Sequence, residues 1–345
     1  MIVRIQRARG ATAIGQKLRR PAIVIVTFKR QQLLQTLFDS IVELTMAPWR
    51  IVVVDNENSP ETASIVGALS KRVRELWGDT DDDLDADGSG TRVVYCPQAE
   101  NTGGSGGFSA GVEEAYRLGA EWFWVMDDDV AVEPRGLELL DRWTDRYDVV
   151  QGQRYDYDGG PFYWQYHFVV PLGIYNPFAK SGFDGDHKPM NVACFEGGLF
   201  KRSVVRQIGL PDRRFFIYWD DAVYGYLASK VCEPILIKDF VLRRTREVKN
   251  VAVGSVRQLN STSDMTRYYI MRNRGYMARY MMEQGDYSRL GFGLGTALTF
   301  AKEFIRILAV DRGSLKTGTA RLALGWRDAR KIYRDPSWEP MPPLE

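Results

Sequence analysis

Hydrophobic residues follow two different periodicities along the first third of the chain. Ala22 to Thr27 and Ile51 to Val54 are continuous, mostly β-branched runs, and such runs predict parallel strands buried on both faces of a sheet. Between them, apolar residues from Leu33 to Leu44 recur with helical spacing, and a second helix-like segment covers residues 62–76. This alternation of strand and helix predicts a Rossmann-like, mostly parallel α/β sheet flanked by helices.

A third hydrophobic run, Trp122 to Met126, ends in three consecutive aspartates. Asp127, Asp128 and Asp129 therefore stand at the carboxyl end of a predicted strand, where open α/β sheets bind their ligands. Adjacent carboxylates repel one another unless a cation joins them, and the alternate pair Asp127 and Asp129 is suited to sharing one divalent cation. A solvated acidic turn is the alternative, but the position after an aromatic strand favours a functional site.

Asp220 and Asp221 form a second acidic site, directly after the apolar run Phe215 to Trp219. A carboxylate beside an aromatic wall is partly desolvated, which makes it a better general base. Either aspartate also suits the N-cap of the helix that is predicted to follow. The sequence leaves both roles open, and one pair can fill both.

A glycine-rich segment, Asn101 to Phe108, precedes another predicted helix. Glycines let the backbone approach a phosphate or sugar closely, and a helix N-terminus favours an anion. The segment does not match GxGxxG, and no acidic residue follows at the distance that would hold a ribose, which disfavours a dinucleotide dehydrogenase. The chain also lacks a GxxxxGK[ST] loop, which excludes the P-loop NTPases.

Taken in order, these segments resemble an inverting GT-A glycosyltransferase of family 2. The resemblance covers roughly residues 21–280. It rests on Asn-x-Gly-Gly-x-Gly-Gly-Phe from Asn101, the aspartate triplet, Trp-Asp-Asp-Ala-x-Tyr-Gly from Trp219 and Arg-Asn-Arg from Arg272. Bacterial galactofuranosyltransferases are the most similar members, and rhamnosyltransferases come next.

The resemblance implies a role for each matching residue. Asp221 would be the base, with Asp220 beside it, and Asp127 and Asp129 would hold Mg²⁺ or Mn²⁺ against the diphosphate of the donor. The residues implied to line the nucleotide-sugar pocket are Thr27, Arg30, Asp55, Asn101, Gly103, Gly104, Gly106, Gly107, Asp128, Arg272 and Arg274. A salt-bridged helix surface is the alternative for the last two.

Two positions depart from the family pattern. Val223 stands where members commonly carry Asp or Glu, and Thr245 stands where a histidine would be the third metal ligand. The two histidines, His167 and His187, both precede the base. Carboxylates and water completing the site, arginines partly replacing the cation, and a weak or inactive enzyme are the three alternatives. We expect a retained metal site, because Mg²⁺ keeps several waters and needs few protein ligands.

Composition narrows the class of protein. With 345 residues, 45% hydrophobic and 26% charged, the chain is typical of a globular protein, and a net charge of +2 argues against a nucleic-acid coat. Three widely spaced cysteines predict a reducing compartment, with neither a zinc site nor a disulfide framework. The basic first 20 residues lack the apolar core of a signal peptide, and no stretch of 18 residues is apolar and uncharged. We expect a cytoplasmic protein.

An acidic loop lies between Gly78 and Gly90. Its spacing of aspartates resembles the start of a calcium loop, but Val94 stands where the bidentate Glu should be. A solvated insertion is therefore the expectation.

The chain is expected to divide into three regions: a basic extension at 1–20, a catalytic domain at 21–250 and a basic helical region at 251–345. Residues 290–310 are apolar but interrupted by Lys302, Glu303 and Arg306, and basic residues follow them. A basic helix with an aromatic face suits an anionic bilayer and a lipid-linked acceptor, which predicts peripheral membrane association. Packing on the catalytic domain is an equal alternative.

The expected reaction transfers galactofuranose from UDP-galactofuranose to a lipid-linked or polysaccharide acceptor in cell-surface glycan synthesis. The alternatives are a rhamnosyltransferase that uses dTDP-rhamnose and a non-catalytic sugar-nucleotide-binding relative. A sugar-nucleotide pyrophosphorylase would need a glycine-rich loop straight after the first strand, and the segment from Thr27 to Arg30 has no glycine.

Overall fold

The computed structural model describes residues 18–80, 90–162, 167–176, 182–247, 250–253 and 257–345. The N-terminal extension up to residue 17 and the acidic loop at 81–89 lie outside the described residues. The strands are β1 Pro21–Thr27, β2 Arg50–Asp55, β3 Val93–Pro97, β4 Trp122–Asp127, β5 Val130–Val132, β6 Val149–Tyr155, β7 Phe168–Val169, β8 Ile174–Tyr175, β9 His187–Pro189, β10 Gly198–Lys201, β11 Ile235–Arg244, β12 Asn250–Val253 and β13 Arg257–Asn260. The α-helices are α1 Gln31–Ile41, α2 Pro60–Trp77, α3 Gly103–Leu118, α4 Gly136–Asp141, α5 Arg202–Ile208, α6 Asp220–Val231, α7 Asp264–Arg272, α8 Arg274–Glu283, α9 Arg289–Ala309 and α10 Leu315–Arg334.

One mixed sheet organises the described part of the chain. Its strand order is β3-β2-β1-β4-β10-β6-β11-β5, and β9 also pairs with β11. The strands β3, β2, β1 and β4 are parallel, and β10 is antiparallel to both β4 and β6. Thr27 is in register with Asp55, and Val26 with Asp127. The polar residues that end β1, β2 and β4 therefore meet at one edge of the sheet.

Helices cover both faces of this sheet. Alternate residues of β1 belong to two cores: Ile23 and Ile25 pack with α1, α2 and α4, whereas Val24 and Val26 pack with α3, α5 and α6. All seven residues of β1 are buried, which is the pattern of a parallel strand that lies between two helical layers. This three-layer arrangement confirms the predicted α/β class.

Residues 151–190 are rich in Gly, Tyr, Trp and Pro, a composition that predicts an irregular connection over one face of the sheet. This prediction is wrong for residues 151–155. Residues 149–155 form β6 inside the sheet, between β10 and β11. The polar side chain of Gln151 concealed this strand in the sequence, but it donates to the Glu196 carbonyl at 2.9 Å and accepts from the Cys194 N–H at 3.1 Å. Its buried polar groups are thus satisfied, so the strand tolerates them.

The last four helices pack together and against α6. Met277 of α8 shares a buried cluster with Val223 of α6, and α10 packs along α7 and α8. Within the described ranges, no helix is both long enough and apolar enough to cross a membrane.

Candidate active site

The aspartate triplet lies at the end of β4 and is held by residues that follow β1. The Thr27 hydroxyl donates to one oxygen of Asp128 at 2.7 Å, and the Arg30 guanidinium donates to its other oxygen at 3.0 Å. Arg30 also contacts Asp129 at 3.2 Å. Asp128 is buried, so its pairing with Thr27 and Arg30 anchors the triplet to the neighbouring strand.

The pKa of the Asp127 carboxyl group is strongly raised. Burial raises its pKa well above the ordinary value, and the neighbouring carboxylates of Asp129 and Asp128 raise it further. Arg30 lowers this pKa, but it is already engaged by Asp128 and Asp129. A divalent cation at Asp127 and Asp129 would relieve this repulsion, which is the electrostatic property expected of a metal site.

The second acidic site opens α6 and follows a strained loop. Phe216, Tyr218 and Trp219 have φ of 66°, 75° and 71°, a region that non-glycine residues rarely adopt. The buried side-chain amide of Asn273 holds this loop by donating to three carbonyls, at 3.0, 2.8 and 2.8 Å, on Phe215, Ile217 and Tyr218. A conformation that the residues disfavour locally is thus fixed by a tertiary contact.

Asp220 and Asp221 occupy the first turn of α6. The N-cap position belongs to Trp219, whose side chain makes no capping hydrogen bond, so neither aspartate is the N-cap residue. Burial, followed by the Asp220 carboxylate, raises the pKa of Asp221 to about 7, although the Ala222 N–H donates to it at 2.7 Å and lowers the pKa. A carboxyl group that titrates near neutral pH is suited to accept a proton from a substrate.

The two acidic sites converge. The Asp220 carboxylate is close enough to raise the pKa of Asp127, although nearly a hundred residues separate them in sequence. Tyr175 stacks on Trp219 with ring centroids 5.6 Å apart, and burial and the Asp221 carboxylate raise the pKa of its hydroxyl. The structure therefore brings the triplet and the two aspartates of α6 into a single site, with Tyr175 beside the residue that precedes those aspartates.

The glycine-rich segment forms the first turn of α3, where most of its glycines allow close packing. A Cβ on Gly103 would lie 2.1 Å from the Phe216 carbonyl oxygen, and one on Gly107 would lie 2.5 Å from Val26. A Cβ on Gly106 would lie 2.4 Å from the side chain of Thr102, whereas one on Gly104 would meet no atom within 4 Å. Protein contacts therefore account for three of the four glycines, and Gly104 has open space beside it.

Asp55 and Asn101 both organise backbone. The fully buried carboxylate of Asp55 accepts from the N–H groups of Glu57 and Ser59, each at 2.9 Å, and from the Tyr95 hydroxyl at 2.8 Å. The side-chain oxygen of Asn101 accepts from the Gly103 N–H at 2.9 Å. Both residues stand at the predicted edge of the sheet, where they shape the loops after β2 and before α3.

Arg272 and Arg274 hold different parts of the fold. Arg272 donates to the carbonyl of Phe215 at 3.0 Å, within the strained loop before α6. Arg274 is buried, and donates to the Gly173 and Leu172 carbonyls at 2.7 and 2.9 Å and to Thr296 at 2.8 Å. Their hydrogen bonds go to backbone carbonyls, the Asn273 side-chain oxygen and the hydroxyls of Thr296 and Thr299, instead of to the acidic partners of a salt-bridged helix surface.

Thr245 lies beside the aspartate triplet. Its N–H donates to the Asp129 carbonyl at 3.0 Å, and its hydroxyl is buried without a hydrogen-bond partner in the part of the chain that the structure describes. Thr245 stands where the family pattern has a histidine, and in the structure this position contacts Asp129. Val223 lies in the core shared by α6 and α8.

The protein ligands at this site suit a cation that takes most of its other ligands from water and from the bound substrate. In the described ranges, no three acidic, cysteine or histidine side chains converge as a closed metal site. Asp127 and Asp129 supply two hard oxygen ligands, and the diphosphate of a bound donor would supply more. His187 lies elsewhere, with its ring nitrogen 2.9 Å from the Tyr147 hydroxyl and its ring 4.7 Å from that of Trp143.

Comparison with known proteins decides the family. Residues 22–209, more than half of the chain, match the family described as Glycosyl transferase family 2. The chain belongs to glycosyl transferase family 2. This membership confirms the resemblance seen in the sequence, and the protein is a glycosyltransferase.

Curated relatives of this family 2 chain are modestly similar to it. Galactofuranosyltransferase GlfT1 of Mycolicibacterium smegmatis is 27% identical over 274 residues, which are 74% of this chain and 81% of the relative. The protein of the same name from Mycobacterium tuberculosis H37Rv is 28% identical over 265 residues, 74% of this chain and 80% of the relative.

Solved structures support the fold. Crystal structures of S. aureus TarS 1-349 align with TM-scores of 0.51 for the protein alone and 0.50 for its complex with UDP-GlcNAc. The protein alone is 9% identical, and its alignment covers 94% of this chain and 100% of the other. The complex is 13% identical, and its alignment covers 91% of each chain. Together with the mixed sheet described above, this likeness confirms the GT-A fold.

Three positioning residues of this family 2 site were not predicted from the sequence. Asn273, in the middle of the Arg-Asn-Arg motif, holds the loop before α6. Asn56 donates to the Gly103 carbonyl at 3.0 Å and accepts from the Thr102 hydroxyl at 2.9 Å, so it links β2 to the start of α3. The buried hydroxyl of Ser105 lowers the pKa of Asp220. The motifs contained Asn273 and Ser105, but only the tertiary structure shows what they contact.

Proposed function

We propose that this protein is an inverting family 2 glycosyltransferase that transfers galactofuranose from UDP-galactofuranose to a hydroxyl of a lipid-linked or polysaccharide acceptor. The product would belong to a cell-surface glycan. The observation that carries the proposal is the convergence of the aspartate triplet with Asp221 at one edge of the sheet. The name of the curated relatives supports the donor sugar.

In the proposed reaction Asp221 acts as the base. It takes the proton of the acceptor hydroxyl as the oxygen attacks the anomeric carbon; the new C–O bond forms while the bond to the UDP phosphate oxygen breaks. Asp220 keeps the pKa of Asp221 high by its negative charge. A single displacement of this kind inverts the anomeric configuration and needs no covalent enzyme intermediate.

The donor side of the site is proposed to be built around Asp127 and Asp129. A Mg²⁺ or Mn²⁺ held there would neutralise the charge that develops on the leaving diphosphate. Arg30 fixes Asp128 and Asp129 and so keeps the triplet in place. Thr27, Asp55, Asn101 and Gly104 are assigned to the nucleotide pocket or to its walls.

The family resemblance implies that Arg272 and Arg274 line the nucleotide-sugar pocket, but we propose a different role for both. Their guanidinium groups are used by backbone carbonyls, in the loop before α6 and in the segment at 172–173. We therefore assign them to positioning of the base and of that segment.

A thermal-shift panel tests the donor assignment. UDP-galactofuranose should raise Tm more than UDP-galactose, UDP-glucose or dTDP-rhamnose, and Mn²⁺ should increase the shift. A shift selective for dTDP-rhamnose would replace the donor assignment with the rhamnosyltransferase alternative. A shift that a chelator leaves unchanged would contradict the metal site and favour Arg30 as the compensating cation.

Two substitutions test the residue assignments with the same panel. Asp221→Asn should keep the donor-induced shift but reduce transfer at least about 100-fold, since the general base is lost. Asp127→Asn should abolish the Mn²⁺ contribution to the shift. Asp145→Asn is the matched control, because that aspartate is exposed and lies outside the site. Transfer at the wild-type rate by Asp221→Asn would show that the base assignment is wrong.

A further inference from the structure

Helix α9 exposes several large apolar residues and buries charged ones. Its charged residues Glu303 and Arg306 are buried, together with Phe292 and Ile307. Five other large apolar residues are between 45% and 87% exposed and lie three, four or seven positions apart, at Leu290, Leu294, Leu298, Ile305 and Leu308. With the exposed Ala301 they form one face, which we call the α9 stripe.

The buried charged residues of α9 are paired within the protein. Glu303 accepts from Arg306 and forms an ion pair with Lys302, each at 2.9 Å, and Arg306 also donates to the Thr262 hydroxyl at 2.7 Å. The three charges that interrupt this apolar segment in the sequence are therefore internal or border the stripe. The α9 stripe itself carries no charge, and it extends for about 27 Å at 1.5 Å per residue.

We infer that the α9 stripe is the surface by which this protein lies on an anionic lipid bilayer. The exposed side chains that adjoin its two ends are cationic, with Arg289 at the beginning and Arg312 and Lys316 after the end. Leu315, which is exposed between them, continues the apolar character into α10. Apolar side chains in the acyl boundary with lysine and arginine at the headgroups form the arrangement that anionic membranes select.

A second copy of the chain fits this surface less well. Whether two α9 stripes packed parallel or antiparallel, Arg289 of one copy would face Arg289 or the Arg312 region of the other, so like charges would meet. The predicted basic helix with an aromatic face is less suited to be this surface. In α10, Trp326 is half-buried and packs against Phe300 with ring centroids 5.5 Å apart, so part of that aromatic side chain is already covered by α9.

The α9 stripe is connected to the proposed base by a short segment. Gly295, on the inner side of α9, lies so close to Leu172 that a Cβ there would be 1.8 Å from its carbonyl oxygen. Three residues later, Tyr175 stacks on Trp219, which directly precedes Asp220 and Asp221. Docking of the α9 stripe would thus bring the Asp221 side of the site toward the membrane. In this respect the inference rests on the proposed function, because docking would bring the proposed lipid-linked acceptor to the Asp221 side of the site.

Vesicle flotation with the full chain tests the inference. Wild type should float with vesicles of phosphatidylcholine containing about one-third phosphatidylglycerol, and much less with pure phosphatidylcholine. Leu294→Asp/Leu298→Asp should weaken binding at least about tenfold, and Arg312→Glu/Lys316→Glu should remove the preference for anionic vesicles. Leu76→Asp is the matched control, since Leu76 is 56% exposed on α2 and should leave binding unchanged.

The result separates docking from catalysis. Asp221→Asn should float like wild type, and the stripe variants should transfer sugar normally to a short acceptor without a lipid, so failure of the proposed reaction would leave the flotation result intact. Absence of wild type from anionic vesicles, or equal flotation of Leu294→Asp/Leu298→Asp, would overturn the inference. A wild-type dimer that those substitutions dissociate would overturn it in favour of a second copy.

Discussion

The side-chain amide of Asn273 donates a 2.8 Å hydrogen bond to the carbonyl of Tyr218, two residues before the aspartate pair of α6. Tyr218 has φ of 75°, and its neighbour Trp219 has φ of 71°. Each such conformation costs about 1–3 kcal/mol, so it persists only when surrounding contacts over-determine it. Asn273 provides those contacts, and the direction in which α6 presents Asp221 depends on them.

Substitution of Asn273 should therefore impair catalysis more than binding. Asn273→Ala leaves three carbonyls without their donor and should lower the free energy of unfolding by about 1–3 kcal/mol. We expect kcat to fall at least about tenfold at temperatures where the variant is folded, with KM for the donor nearly unchanged. Tyr268→Phe is the control, because it removes a 3.1 Å hydrogen bond to Asp328 away from the loop. Wild-type kcat in folded Asn273→Ala would contradict the positioning role.

The pH profile should report the ionisation of Asp221. Burial and Asp220 raise its pKa to about 7, and a general base works in its ionised form. The value of kcat/KM should therefore rise about tenfold per pH unit up to about pH 7 and level off above it. A profile that is flat between about pH 5 and pH 8 would exclude Asp221 as the base.

The same pKa predicts an effect on stability. Because the pKa is raised from 3.8, the folded protein holds the Asp221 proton more tightly than the unfolded chain does. The stabilisation is present at low pH and is lost as the pH rises through about 7. Asp221→Asn should consequently raise Tm relative to wild type more at about pH 8 than at about pH 5, as differential scanning calorimetry would show.

Thr245 offers a test of metal coordination by gain of function. Its N–H contacts the Asp129 carbonyl, and its hydroxyl is buried beside the triplet. Thr245→His should add an imidazole ligand and lower the Mn²⁺ concentration for half-maximal donor-induced thermal shift at least about tenfold. Thr245→Val keeps the volume without adding a ligand, and it should leave the Mn²⁺ requirement as in wild type. Equal Mn²⁺ requirements for the histidine and valine variants would contradict a metal at Asp129.

The glycine-rich turn provides a matched pair of substitutions. Gly103→Ala should cost at least about 2 kcal/mol, because φ is +73° and the new Cβ would lie 2.1 Å from the Phe216 carbonyl oxygen. Gly104→Ala meets no atom within 4 Å, and alanine at this helical position should be neutral or stabilising by up to about 1 kcal/mol. Urea denaturation of the two variants measures the difference. Equal midpoints would show that Gly103 is not required for the contact with Phe216.

Strong periodicity made much of the fold accessible from sequence. The buried runs of β1, β2 and β4 and the helices between them were predicted correctly, because a strand covered on both faces must be apolar throughout. β6 was missed, since Gln151 and Arg154 are buried polar residues whose partners lie far away in the sequence. Local pattern alone contains no information on such partners.

By itself, the sequence determined the α/β class, the family and the two acidic motifs, because each depends on residue types at short spacing. Only the tertiary structure decided that the triplet and the aspartates of α6 share one site, that Asn273 holds the loop before α6, and that Glu303 and Arg306 of α9 face inward. These relationships join residues tens of positions apart. They arise from tertiary contacts, such as those of the loop before α6 with α3 and with the end of α7, which no local pattern specifies.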